Sequence, residues 1–322
     1  MLPTHDDVQA ARARITPHIV RTPMLRHRAL DDATGGTILI KPEPLQRTGS
    51  FKLRGATNAI LRLSGAERRA GVVTHSSGNH GQATACAAAS IGAHATIFMP
   101  EDAPRIKIDS TRAWGADIIH YNRATDDRDA ITAAFAARTG AILVPPFDHE
   151  DVIAGQGTLA LELVEDARQA GYTMDAMLVC TGGGGLIAGC ALGLEGASPT
   201  TALYAVEPED WDDTARSLIS GARETNAPGG STLCDALLSK SPGRLTFEVN
   251  QPRLAGGLAV SDAEVLAAIA FAFRHLKLVV EPGGAVALAA LLAGKFDAKG
   301  KITGVVLSGG NIDPATFSRA FA

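Results

Sequence analysis

The feature that most constrains the fold is an alternation of two kinds of segment. Short, continuous apolar runs such as "TILIKPE" (37–43), "GVVTHSS" (71–77), "HATIFMP" (94–100), "ADIIHY" (116–121), "DAMLVC" (175–180), "TALYAVE" (201–207) and "GVVLSGG" (304–310) are separated by longer Ala/Leu/Glu-rich stretches. Among the latter are "GATNAILRLSGAERRA" (55–70), read as one helix, and "GQGTLALELVEDARQAG" (155–171). A strand that is apolar on both faces must be covered on both, and a helix between strands returns the chain to begin the next in the same direction. The pattern predicts an α/β fold built on mostly parallel sheet flanked by helices. With 322 residues, 46% of them hydrophobic, the chain suffices for one large domain or two of ordinary size.

Sheets of this kind bind ligands at the carboxyl ends of their strands, and the Gly- and Ser-rich segments fall there. In "TGGGGLIAG" (181–189), Gly182, Gly183, Gly184 and Gly185 can turn their N–H groups around an anion at the positive end of the next helix, or make a plain tight turn. No Lys-Ser/Thr pair follows, as a P-loop requires, and the spacing is not that of a dinucleotide site. The ligand that suits the run is a single phosphate monoester. "SSGNHGQA" (76–83) brings Ser76, Ser77 and Asn79 to a helix start, as donors for a carboxylate or as ordinary capping residues. "LSGGN" (307–311) ends a buried strand with Ser308, which either satisfies a backbone group or meets a ring nitrogen. "RTGSFKLRGA" (47–56) sets Lys52 at a helix start, either as a solvated lysine or as an amine held near a cofactor. A phosphate cup, a carboxylate loop and a lysine together point to pyridoxal phosphate, whose aldehyde forms an imine with a lysine amine.

Composition narrows the alternatives. The formal net charge of -4 gives no general attraction to nucleic acid or anionic lipid, and no partner of either kind is expected. Four cysteines (Cys86, Cys180, Cys190 and Cys234) lack C-x-x-C spacing, which argues against zinc or a disulfide framework. No signal-peptide stretch opens the chain, and "GGAVALAALLAG" is too short to span a bilayer. A soluble, cytoplasmic protein is expected.

The segments "SFKLRGA", "SSGNHGQA", "VIAGQGT", "GGGGL", "VEP" and "SGGN" follow one another in the order found in the fold-type II pyridoxal-phosphate enzymes. The sequence most resembles their threonine/serine dehydratase branch, which includes serine racemase. The resemblance covers nearly the whole chain and implies a tryptophan synthase β-like fold with two open, twisted, mostly parallel sheets. It implies a small domain at 46–145 carrying the lysine and the asparagine loop, and a large cofactor domain formed by 1–45 and 146–322. Position by position, it makes Lys52 the imine-forming lysine and base. It sets Phe51 beside the pyridine ring, Asn79 on the 3-hydroxyl and Ser308 at the ring nitrogen. The backbone N–H groups of Gly182, Gly183, Gly184, Gly185 and Leu186 would take the phosphate, and Ser76, Ser77, Asn79 and His80 would surround the substrate carboxylate. Ser77 would also face the substrate from the side opposite Lys52.

A serine hydroxyl at the ring nitrogen carries no charge to keep that nitrogen protonated, so the ring is a weaker electron sink and early loss of a β-substituent is favoured. The expected reaction is β-elimination from L-threonine and L-serine, followed by hydrolysis to a 2-oxo acid and ammonia, with 3-hydroxyaspartate dehydration or serine racemisation as alternatives. A non-enzymatic amino-acid-binding protein on the same scaffold is the reading from outside the class; intact Lys52, Ser77 and Ser308 count against it. "VEPEDWDD" resembles a cation site in which Glu207, the backbone carbonyl of Trp211 and Asp213 hold Mg²⁺ or Ca²⁺. Arg128, in "ATDDRDAI", is expected as a surface residue paired with Asp127 or other acidic neighbours; in the racemase an arginine at this place can approach a second carboxylate. Ala236 and Pro145 depart from the family pattern, where glycine and histidine are frequent. The chain ends soon after "SGGN", without a regulatory domain, which suggests a catabolic role. A homodimer is expected.

Overall fold

The computed structural model describes residues 2–322. The amino-terminal half runs α1 (His5–Ile15), α2 (Arg28–Thr34), β1 (Thr37–Pro42), α3 (Lys52–Leu61), α4 (Gly65–Ala70), β2 (Val72–His75), α5 (Asn79–Ser90), β3 (Ala95–Pro100), α6 (Arg105–Ala113), β4 (Asp117–Tyr121), α7 (Arg128–Thr139) and β5 (Ile142–Leu143). There follow α8 (Glu150–Gln169), β6 (Ala176–Cys180), α9 (Gly185–Ala197), β7 (Ala202–Pro208), α10 (Asp213–Ser220), α11 (Arg244–Asn250), β8 (Gly256–Val260), α12 (Asp262–Phe271), α13 (Pro282–Leu292), β9 (Ile302–Leu307) and α14 (Pro314–Ser318).

The strands form a five-stranded sheet in the order β1-β9-β6-β7-β8 and a four-stranded sheet in the order β4-β3-β2-β5. Every ladder in both is parallel. The four-stranded sheet lies wholly between residues 72 and 143, and the five-stranded sheet draws on the chain before and after that stretch. β2, β3 and β6 are buried at every position, as continuous apolar runs require. In the larger sheet the chain steps from β6 outward to β7 and β8, then returns to place β9 on the other side of β6. The carboxyl ends of β6 and β9 thus flank a reversal of strand order, where such sheets open a crevice.

The segment 55–70 is not one helix. It breaks after Leu61, because Ser64 caps α4: its hydroxyl accepts from the Glu67 N–H while the Glu67 carboxylate accepts from the Ser64 N–H. The "GGLAV" strand β8 and the helix α11 carry no pattern distinct enough to have been read from sequence.

α8 lies at the centre, and "VIAGQGT" is its packing device. A Cβ on Gly155 would fall 2.7 Å from the Arg54 carbonyl oxygen of α3, and one on Gly157 would fall 2.4 Å from the Gly189 carbonyl oxygen of α9. These two glycines let the helix that carries Lys52 and the helix that follows the glycine loop lie against one support. A buried ionic network of Lys41, Glu43, Arg54 and Glu162 joins β1, the segment after it, α3 and α8.

Candidate active site

The carboxyl ends of β2, β6 and β9 face one cleft of about 1070 Å³, its open mouth included. Phe51, Lys52, Ser76, Ser77, Asn79, His80, Gly182, Gly183, Gly184, Gly185, Leu186 and Ser308 all line it. These are the residues that the resemblance assigned to cofactor and substrate.

Lys52 is the first residue of α3. Its approach is fixed by an antiparallel bridge between Ser50 and Gly309 and by the Phe51 N–H, which donates to the Ser308 carbonyl at 3.0 Å. The lysine and Ser308 are therefore held together although far apart in sequence. Lys52 Nζ donates to the Pro146 carbonyl at 2.7 Å. Burial lowers its pKa to about 8, with the nearby Cys180 and Glu281 opposing the shift. A sizeable neutral fraction near neutral pH makes this amine a competent nucleophile and base.

The glycine loop connects β6 to α9. Among the described residues, the N–H groups of Gly182 to Leu186 donate to no protein acceptor. These free donors at a helix start, with no side chains over them, form a cradle for an anion. Across the cleft Asn79 gives one amide hydrogen to Glu281 and accepts from Asn311 Nδ2 at 2.8 Å, so a second hydrogen stays available for an oxygen in the cleft. Burial pushes Glu281 up to about 7, Lys107 opposing it. His80 Nε2 lies 2.9 Å from the Val144 carbonyl and so carries the proton. Burial, with the charge of Lys52, pushes its pKa down to about 3, which leaves the ring neutral. The side chain of His80 therefore presents a lone pair at Nδ1, not a proton, to its surroundings.

The cleft also holds residues that no motif marks: His75, Lys107, Arg123, Phe147 and Asp235. Glu281, which supports Asn79, did have a signal, since "VEP" recurs at 280–282 as it stands at 206–208. Arg128 lines the cleft too, whereas Asp127 caps α7 by accepting from the Asp129 and Ala130 N–H groups at 3.0 and 3.1 Å. Of the acidic neighbours expected to pair with Arg128, it is Asp129 and not Asp127 that does so. The Arg128 contact with Asp129 is long, 4.0 Å, and half-exposed. Ala236 lies on the wall as well.

Glu207, Trp211 and Asp213 lie outside the cleft, at the end of β7 and the start of α10. Glu207 accepts from the Thr214 and Ala215 N–H groups at 3.1 and 2.9 Å. Asp213 is buried and accepts from Asn226 through one oxygen, while its Oδ2 has no partner. Burial holds Glu207 well above the usual carboxylate range, with Asp213 adding to the shift, and burial pushes Asp213 up to about 6. Two buried carboxylates with an orphaned oxygen fit a hard divalent cation. No cluster of three or more His, Cys, Asp or Glu side chains is disposed around a metal among the described residues.

A cradle of free N–H groups opposite a sheltered lysine, between two parallel sheets, defines an α/β enzyme organised around a phosphorylated carbonyl cofactor. The family described as pyridoxal-phosphate dependent enzyme matches residues 15–309, and the chain belongs to it. L-threo-3-hydroxyaspartate ammonia-lyase of Saccharomyces cerevisiae is 43% identical over 314 residues, 97% of this chain and 94% of that protein. L-threonine ammonia-lyase of Thermotoga maritima is 40% identical over 310 residues, 96% of this chain and 76% of that protein. The crystal structure of serine racemase from Dictyostelium discoideum matches with a TM-score of 0.89 at 36% identity, covering 97% of this chain and 99% of that one.

Proposed function

We propose that this enzyme dehydrates 3-hydroxyaspartate, a hydroxy amino acid with a second carboxylate; hydrolysis of the released enamine, through its imine, returns the water and leaves a 2-oxo acid and ammonia. The reaction class is pyridoxal-phosphate dependent elimination from hydroxy amino acids, which threonine and serine would share. One observation supports the dicarboxylate. Of the three Lys and Arg side chains on the cleft wall besides Lys52, Lys107 donates to Asp235 at 2.6 Å and Arg123 to Asp102 at 2.7 Å. Arg128 makes no hydrogen bond to a carboxylate among the described residues. A second substrate carboxylate is costly to desolvate unless a donor meets it, and a guanidinium meets it bidentately. The name of the yeast relative favours the same substrate.

Bound in the cleft, pyridoxal phosphate supplies an aldehyde for an amine and a ring that withdraws electrons from the substrate Cα. Gly182 to Leu186 would hold its phosphate, Asn79 its 3-hydroxyl and Ser308 its ring nitrogen, with Phe51 beside the ring. Lys52 Nζ takes the Cα proton, its remaining hydrogens oriented by the Pro146 carbonyl. Ser76, Ser77 and the first N–H groups of α5 receive the substrate α-carboxylate, favoured by the helix dipole. His80 would contribute there through its backbone N–H, because its ring is an acceptor. Residues 46–145 would act as a small domain whose closure excludes water.

The test compares kcat/KM for 3-hydroxyaspartate, threonine and serine in wild type and Arg128→Ala. The expected result is a preference for 3-hydroxyaspartate that falls by roughly 10- to 100-fold in the variant, with threonine and serine little changed. A wild-type preference for threonine that ignores the mutation would refute the assignment.

Glu207, the Trp211 carbonyl and Asp213 would hold Mg²⁺ or Ca²⁺ as support for the larger sheet. Chelation should then lower the melting temperature, and Mg²⁺ should restore it, adding about 2.7 kcal/mol of stability at a hundredfold excess over Kd. A chelator-insensitive melt, with no metal on elemental analysis, would remove the site.

A further inference from the structure

The glycine loop is held in shape from behind. Thr246 Oγ1 on α11 donates to the Gly183 carbonyl at 2.7 Å, and the Gly243 N–H donates to the same oxygen at 3.2 Å. Asn250 Nδ2 donates to the Gly184 carbonyl at 3.4 Å. In a trans peptide unit the C=O and N–H point in opposite directions. Drawing the Gly183 carbonyl toward α11 therefore aims the Gly184 N–H away from that helix and into the cleft. The Gly184 carbonyl, which also accepts from the Ala188 N–H of α9 at 2.9 Å, orients the Gly185 N–H in the same way. The loop reaches this geometry through a left-handed residue, Gly184, at φ +89°.

The same helix is tied to the lysine. Asp148 accepts from the Arg244, Leu245 and Thr246 N–H groups at 3.1, 2.8 and 3.0 Å. Its neighbour Phe147 packs against the loop, since a Cβ on Gly183 would fall 2.5 Å from the ring. Pro146, the residue before, accepts from Lys52 Nζ at 2.7 Å. Residues 146–148 thus set the amine, the loop and α11 in register with one another.

We infer that Thr246 is a positioning residue for the cofactor phosphate, fixing the Gly183–Gly184 peptide plane so that the Gly184 N–H is aimed at the anion. The inference rests on the glycine loop being the phosphate site. Without the hydroxyl, the Gly183 carbonyl keeps only the longer bond from Gly243, and the loop samples orientations that turn N–H groups away from the cleft.

The test titrates pyridoxal phosphate and pyridoxal into the full-length protein freed of cofactor, following absorbance, for wild type, T246V, T246S and G183A. T246V should weaken pyridoxal phosphate about tenfold and leave pyridoxal within about twofold, with T246S restoring affinity. Equal losses for both ligands, an unchanged affinity in T246V beside a lowered melting temperature, or failure of T246S to restore it would overturn the proposal. G183A, which must displace Phe147, tests the underlying reading. If it loses pyridoxal phosphate selectively while T246V does not, the phosphate site stands and the role of Thr246 falls. If neither variant distinguishes the two ligands, the phosphate site itself is wrong and the proposal falls with it. Should T246V fail to accumulate, T246A removes the same hydroxyl and should cost about tenfold in pyridoxal phosphate alone; no selective loss would count against the proposal.

Discussion

Replacing Lys52 by alanine is expected to lower kcat by about a thousandfold or more while leaving the fold intact. Among the described residues the amine has one hydrogen-bond partner, the Pro146 carbonyl, and it stands apart from the ionic network that anchors α3. Its burial is a cost to the charged form, so truncation should leave the melting temperature unchanged or slightly raised. Lys52→Arg should be equally inactive, because a guanidinium does not give up its proton and cannot attack an aldehyde. The lowered pKa has its own signature in cofactor capture by the unloaded protein. With a pKa of about 8, roughly a tenth of the amine is neutral at pH 7, against fewer than about one in a thousand for an ordinary lysine. The neutral fraction rises with pH, so the capture rate should rise nearly tenfold per unit below about 8 and level off above it. Stopped-flow absorbance of pyridoxal phosphate mixed with the protein measures this. A profile still rising steeply past pH 10 would mean that the amine is solvated, and retained turnover in Lys52→Ala would remove it from the chemistry.

The parts of this site that were legible in sequence are those in which one short segment does one job. Parallel strands covered on both faces must read as unbroken apolar runs, so "DAMLVC" and "GVVLSGG" announced β6 and β9, and the loops after them announced the cleft. "VIAGQGT" was recognisable as a motif, but its reason is tertiary: Gly155 and Gly157 make room for backbone oxygens of two other helices. Thr246 and Asp148 were invisible because their work is done across 63 and 98 residues, on a loop whose own sequence looks self-sufficient. Arg128 was legible in part. It is an exposed arginine with an acidic neighbour, Asp129, as its sequence suggested, but that the start of α7 also borders the cleft is tertiary. The break at Ser64 was local and could have been read, since Ser64 and Glu67 have capping-box spacing inside the supposed helix.

Arg54→Met should be the most destabilising single change in the molecule's interior, by about 3–5 kcal/mol. Arg54, Lys41 and Glu43 are 0% exposed and Glu162 is 4% exposed. The guanidinium bonds Glu43 through Nε and Nη2 at 2.8 Å each, and Glu162 through Nη1 and Nη2 at 2.8 and 2.9 Å. Lys41 Nζ adds a bond to Glu162 at 2.6 Å. Removing Arg54 leaves two buried carboxylates sharing one ammonium, an uncompensated charge in the interior. The pH dependence should change sign with it. In the wild type, burial works to raise the Glu162 pKa but Arg54 and then Lys41 overcome it, so the value lies below the ordinary one. Its stability contribution is present above the unfolded value of about 4.3 and is lost as pH falls through the lower, folded value. In Arg54→Met the chief opposing charge is gone and burial prevails, so the folded value rises above the unfolded one. The folded variant then binds the extra proton, and its stability falls as pH rises through that value. Urea unfolding between pH 5 and 8 should show the deficit widening with pH. Because Arg54 lies one half-turn beyond Lys52 on α3, kcat should fall as well, and by less in Arg54→Lys, which keeps one charge, than in Arg54→Met. A deficit under about 1 kcal/mol, or one that narrows with pH, would mean that the buried charges are compensated elsewhere.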